Sequence, residues 1–180
     1  MDLIQIIIPR SSKIKTDFGK EPLPVFLEET GFRQVVLNLA INARDAIPRN
    51  GKIKIIARMV KEGDRMMKGA WGGERVAPVR GAEISFSDNG CGVPAEIAEY
   101  LFDPFFTTKE SSSGSGFGLY NSKLFIEDHN GEIGFTSTPG HGSVFYLFIP
   151  FALLDEDSER NVKTAKRASR EFSKKRQSRK

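Results

Sequence analysis

Between Glu28 and Ala46 the apolar residues recur at helical spacing, and Pro48 and Gly51 stop the pattern just beyond. One long helix is predicted there. KIKIIARMV, residues 52–60, alternates in part and predicts a strand, and AEISFSD, 82–88, predicts a second. GEIGFTST and GSVFYLFIPF predict a hairpin that turns at Pro139–Gly142. A further strand is expected near 13–18, a short helix over PAEIAEYLF from Pro94, and another helix over 117–129. DLIQIII, residues 2–8, has the β-branched content of a strand but is too short for periodicity to decide. Two stretches lack a regular pattern. EGDRMMKGAWGGERVAPVRG is a polar, glycine-rich insertion, and DPFFTTKESSSGSG has the composition of a mobile loop. Helices and strands mix without strict βαβ alternation. The predicted fold is therefore α+β: a two-layer sandwich with helices on one face of a mixed, mostly antiparallel sheet.

The long helix carries an anomaly. Asn38 and Asn42 stand one turn apart inside its apolar run, with Gln34 a turn earlier. Asparagine is about 0.6–0.7 kcal/mol worse than alanine in a helix interior. A buried amide without partners costs about 1–3 kcal/mol more. Something must need those amides.

Composition narrows the setting. The chain has 180 residues, 39% of them hydrophobic, with 14 phenylalanines, which suits one globular domain with a substantial core. The longest nearly continuous apolar run, Val144–Leu154, has 11 residues, short of the roughly 18–20 that a membrane helix needs. No signal-peptide pattern opens the chain. Cys91 is the single cysteine, which excludes an intramolecular disulfide and fits a reducing compartment. The expected location is cytoplasmic, as a whole or as the cytoplasmic part of a membrane-bound sensor. The net charge of +4 hides a division: residues 160–180 carry ten Lys/Arg against Glu171 alone, leaving 1–159 at −5. The tail reads as a solvated, partly disordered or helical extension. Direct nucleic-acid binding is not expected, although a binding module working through this tail is the reading from another functional class.

Three further motifs carry chemistry. SDNGCGVP, 87–94, is a tight turn by composition, yet it also sets Asp88 at a strand end with Gly90 and Gly92 beyond. A carboxylate accepts a hydrogen bond from an exocyclic amine, and glycines admit a flat ring close to the backbone. GSGFGL brings Gly114, Gly116 and Gly118 ahead of a helix, where unpaired N–H groups favour phosphate. Its spacing is not a dinucleotide fingerprint, and no Walker motif occurs. In LFDPFFTTK, Phe102, Phe105 and Phe106 read as a hydrophobic anchor for a loop that carries Lys109.

Taken in order, these boxes and the closing PGHGSVFYLFIP resemble the ATP-binding domain of sensor histidine kinases. This is the Bergerat fold, which those kinases share with gyrase, Hsp90 and mismatch-repair ATPases. The resemblance covers about 25–151, so the expected organisation is a lead-in over 1–24, a catalytic domain over 25–153 and a basic tail over 154–180. It implies ATP and Mg²⁺ as cofactors, with Asn42 holding the metal and Asn38 beside it on the same helix face. It further implies Asp88 on the adenine amine and Gly90, Gly92 and Val93 around the base. Gly114, Ser115, Gly116, Phe117, Gly118 and Leu119 would follow the triphosphate, and 107–115 would form the ATP lid. Many histidine kinases carry Lys or Arg three residues after the metal asparagine. Here that place is Asp45, so the phosphate contact falls to Arg44 or Lys109.

Asn38 stands where gyrase-like members carry a water-activating glutamate, and an amide is no general base. His129 and His141 both lie outside the His-Glu/Asp-x-x-x-Pro setting of a phosphoacceptor helix. The expected partners are therefore a histidine-bearing dimerisation domain outside this sequence and a downstream response regulator, with homodimerisation only through that domain. An anti-sigma-type serine kinase and an ATPase of the same fold remain as alternatives.

Overall fold

Glu28 starts the long helix by capping it: its carboxylate accepts hydrogen bonds from Thr30 N and Gly31 N at 2.8 and 2.5 Å. Helix α1 then spans Glu29–Ala46. Its end is dictated by Pro48, which disfavours helical geometry in the residue before it, and Ile47 is extended at ψ 146°. In the computed structural model, residues 7–9, 11–66, 76–109 and 115–151 are described. The other elements are β1 (Lys13–Asp17), β2 (Lys52–Val60), β3 (Gly81–Asp88), α2 (Ala95–Ala98), α3 (Gly118–Asp128), β4 (Glu132–Thr138) and β5 (Gly142–Pro150).

The strands form one sheet in the order β1-β2-β3-β5-β4. β1 pairs with β2 in parallel, and every other neighbour is antiparallel. The expected mixed, mostly antiparallel sheet is present. Strand β1 falls in the segment read as a lead-in, and Ile8 is buried in the main core.

Period-two alternation decides which face each strand buries. Ile53 and Ile55 of β2, Phe86 of β3, Ile133 and Phe135 of β4 and Phe145, Leu147 and Ile149 of β5 meet Val35, Leu39 and Ala43 of α1 and Ile126 of α3. Asp88 lies two residues beyond Phe86, so the same alternation brings its carboxylate up on the helical side of the sheet. The two helices approach closely at Gly31, where an added Cβ would run into the Phe125 ring.

The opposite face of the sheet is partly covered by the insertion. Val60, Met66, Ala77 and Phe148 form a second cluster, and Arg65 bridges to Val76 in the antiparallel sense. Arg58 pairs with Glu83 at 2.6 Å, and Glu83 is only 3% exposed. The described ends of this polar stretch thus pack on the sheet. Residues 67–75, the tail from 152, and most of DLIQIII lie outside the described residues.

Two expectations need correction. The helix from Pro94 is a single turn, α2: beyond Ala98 the backbone closes successive three-residue turns instead, Tyr100 N on Ile97 O (3.1 Å) and Asp103 N on Tyr100 O (2.9 Å). The three phenylalanines do not act together as an anchor. Phe102 packs against Phe135 with ring centroids 6.0 Å apart, while Phe106 lies against Tyr100. Phe105 takes φ +67° and is 71% exposed, its ring edge-on to Phe117 at 4.6 Å. The positive φ turns that ring outward.

Candidate nucleotide site

Helix α1 organises the site. Val35, Leu39 and Ala43 make its apolar stripe, and Gln34, Asn38, Asn42 and Asp45 form a polar strip alongside at spacings of three and four. The two asparagines have different surroundings. Asn38 is fully engaged: Nδ2 donates to Gly118 O at 2.9 Å and to Ser122 Oγ at 3.1 Å, and Oδ1 accepts from Gln34 at 3.0 Å. It ties α1 to the first turn of α3. Asn38→Ala should therefore lower stability by about 1–2 kcal/mol. Chemical denaturation checks this, and an unchanged midpoint would show that the clasp carries no net weight.

Asn42 is nearly free by comparison. Among the described residues its Oδ1 receives only the ammonium of Lys109, at 3.5 Å. That ammonium is itself held by Asp45 Oδ2 at 2.5 Å, and Arg44 grips Asp45 Oδ1 at 2.6–2.7 Å. The loop lysine and the helix asparagine named from sequence are thus brought together.

The Asp88 loop meets the far end of the same helix. Cys91 N donates to Ala46 O at 3.0 Å, and Gly140 N of the β4–β5 turn donates to Cys91 O at 2.7 Å. The structure supplies its own reason for both glycines here. A Cβ on Gly90 would strike the Ala46 carbonyl, and Gly92, at φ +71°, presses against the Thr138 carbonyl. Val93 N donates to Ser137 Oγ at 2.8 Å. A cavity of about 230 Å³ opens beside this loop, lined by Ser87, Asp88, Thr136, His141 and Val144 among others.

Asp88 is only 8% exposed. Its Oδ1 accepts from Gly90 N at 2.8 Å and from Ser143 N at 3.3 Å. Among the described residues Oδ2 has no partner, which leaves it for a ligand amine. Ser137, Ser143 and Ser122 were not singled out from sequence. The closing PGHGSVFYLFIP box contained the signal for Ser143, but backbone N–H roles leave no trace in residue type.

At the glycine-rich turn, Gly114 lies outside the described residues. Ser115 is exposed, Gly116 sits at φ +70° under the Phe105 backbone, and Phe117 enters α3 without any side-chain cap. The first N–H groups of Gly118 and Leu119 therefore remain available to an anion. From Asn38 to Ala46 the helix rises roughly 12 Å. One rod thus connects the uncapped α3 N-terminus, the Asn42–Lys109 pair and the Asp88 loop.

Residues 27–153 match the family described as histidine kinase-, DNA gyrase B- and HSP90-like ATPase. The chain belongs to this ATPase family. Relatives within it include sensor kinases. It is 34% identical over 149 residues to the sensor kinase CckA of Brucella abortus (strain 2308), covering 82% of this chain and 15% of that one. It is 35% identical over 135 residues to the histidine-protein kinase AtoS of Escherichia coli (strain K12), covering 75% and 19%. The chain thus spans less than a fifth of the length of these two relatives. The catalytic domain of histidine kinase ThkA aligns with a TM-score of 0.60 at 29% identity, covering 83% of this chain and 84% of that structure. This is a histidine-kinase catalytic domain, and as a member of an ATPase family it uses ATP. Among the described residues no helix is long and apolar enough to cross a membrane.

In this kinase domain the protonation of Asp88 is set by burial, which raises its pKa above the ordinary carboxylate value; the N–H groups of Gly90 and Ser143 oppose the shift. Those N–H groups occupy Oδ1, so an added proton goes to Oδ2, the oxygen left for an amine. ATP affinity should therefore weaken as pH falls through this raised value, starting above the roughly 3.9 of an unperturbed aspartate. Calorimetry across an acidic series checks it. An affinity that stays flat down to the ordinary value would contradict the assignment.

Proposed function

We propose that this domain binds Mg²⁺·ATP and transfers the γ-phosphoryl group to a histidine on a separate helical dimerisation domain, from which a response regulator is served. Asp88 accepts the adenine amine, with Gly90, Gly92 and Val93 forming the wall of the base pocket. Gly114, Ser115, Gly116, Phe117, Gly118 and Leu119 follow the phosphates, and Lys109 supplies a cation to them. Asn42 suits magnesium, because its neutral oxygen already faces a cation, the Lys109 ammonium. Among the described residues there is no cluster of three acidic, histidine or cysteine side chains that could cage a metal. Magnesium is ordinarily held by few protein oxygens together with phosphates and waters, and when bound it neutralises charge on the phosphate oxygens.

One observation carries the choice of transfer over hydrolysis. At the position of Asn38 there is an amide, and both of its donor hydrogens and its oxygen are committed to Gly118, Ser122 and Gln34. Nothing there can take a proton from water. The residues hold the nucleotide in place, and an incoming imidazole nitrogen forms the new bond to phosphorus as the bridge to ADP breaks.

The test is turnover of labelled ATP by the domain alone and with a histidine-bearing helical domain added. Alone, it should bind ATP and release phosphate barely. With the added domain, label should move onto that domain, slowly, because effective concentration is lost when tethered domains are separated. Vigorous hydrolysis by the domain alone would contradict the proposal.

A further inference from the structure

Asp45 is out of place by every local rule. It is a carboxylate in the last turn of an 18-residue helix, where the helix dipole disfavours negative charge. It also lies one turn beyond Asn42, towards the end of a site meant for a polyanion. Yet neither of its oxygens faces that site unpaired. Oδ1 is taken by Arg44 and Oδ2 by Lys109. The three side chains together carry a net charge of +1, and all are partly shielded, at 27% exposure for Asp45, 30% for Lys109 and 38% for Arg44.

Lys109 comes from the loop after α2, 64 residues from Asp45 in sequence. A lysine on a loop has four rotatable bonds and spreads its charge over many positions unless something fixes it. Asp45 fixes it, and the ammonium ends 3.5 Å from Asn42 Oδ1. We propose that Asp45 is a positioning residue for the phosphate end of the site: it recruits the Lys109 ammonium from the loop and holds it beside Asn42 before the nucleotide arrives. The cation that a helix lysine or arginine would supply at this place is supplied from the loop instead, and the carboxylate is its anchor. Ordering the cation in advance removes that cost from binding. This inference rests on the ATP-site reading above.

The sign of one substitution separates it from a simple charge effect. Asp45→Asn removes a negative charge near a polyanion, so electrostatics alone predicts tighter binding of ATP. Loss of positioning predicts weaker binding. Calorimetry with Mg²⁺·ATP and with adenosine as probes decides it, on the parent domain, Asp45→Asn, Asp45→Glu, Lys109→Met and the Asp45→Asn/Lys109→Met double variant. We expect Asp45→Asn to weaken Mg²⁺·ATP about three- to tenfold, Asp45→Glu to restore most of that, and adenosine to be unaffected. In the Lys109→Met background the Asp45→Asn change should cause no further loss. Tighter or unchanged Mg²⁺·ATP binding by Asp45→Asn would overturn the inference. So would a loss that persists without Lys109, or an equal loss for adenosine. A parent domain that binds neither probe would remove the proposed function, and this inference with it.

Discussion

Asp88→Asn should abolish measurable ATP binding and leave the domain at least as stable as the parent. The two effects have one geometric origin. Asparagine Oδ1 can keep both hydrogen bonds that Asp88 Oδ1 receives, from Gly90 N and Ser143 N. Its Nδ2 then stands where Oδ2 was, so a donor faces the adenine amine, which is also a donor. A charge-assisted hydrogen bond is exchanged for a repulsive contact, and the loss should be about 100-fold or more. The stability effect follows from linkage. Burial raises the Asp88 pKa in the folded state, so its contribution to stability grows as pH falls through that value and is lost as pH rises through it. At neutral pH the buried charge is a cost that asparagine does not incur. Calorimetry and thermal melts at pH 7 measure both halves. A variant that binds ATP within threefold of the parent would reduce Asp88 to a turn residue.

Asn42→Ala should have the opposite profile to Asn38→Ala. Among the described residues the Asn42 side chain makes a single long hydrogen bond, to Lys109, so the fold loses little, and alanine is the better helix former. Binding should suffer instead. Loss of a neutral oxygen ligand should weaken ATP binding in the presence of Mg²⁺ by about tenfold or more and leave metal-free binding nearly unchanged. Titrations with and without Mg²⁺ separate these. Equal affinities for variant and parent in both conditions would remove the metal from Asn42. On this proposal the two asparagines divide the work: one clasps helices together and the other is left to face the ligand.

Strand β2 and the β4–β5 hairpin could be read from the chain because alternation and turn residues are local signals, and α1 because its stripe repeats over five turns. The family was legible for another reason: five boxes in order constrain one another, although each alone is a common helix, turn or loop pattern. What could not be read depends on contacts between distant residues. Nothing near Asn38 says that its amide closes on Gly118 and Ser122, 80 and 84 residues away. Asp45 read only as a departure from an expected cation, since its partner Lys109 lies on a loop 64 residues away. Phe105 read as part of a hydrophobic anchor because aromatic spacing carries no sign of a positive φ. The insertion looked like a polar loop because, among its described residues, just Met66 and Ala77 join Val60 and Phe148 in the second cluster.

The acceptor linkage tests the central claim most directly. Label transferred from γ-labelled ATP to an added histidine-bearing helical domain can be examined for its stability to acid and base. A phosphorylated histidine loses its phosphate in acid and keeps it in base, whereas phosphoserine behaves the other way. The account predicts label on the added domain that is acid-labile and base-stable, and that disappears when Asp88→Asn replaces the parent. Acid-stable label on a serine would contradict it and place the domain with the serine kinases of the same fold.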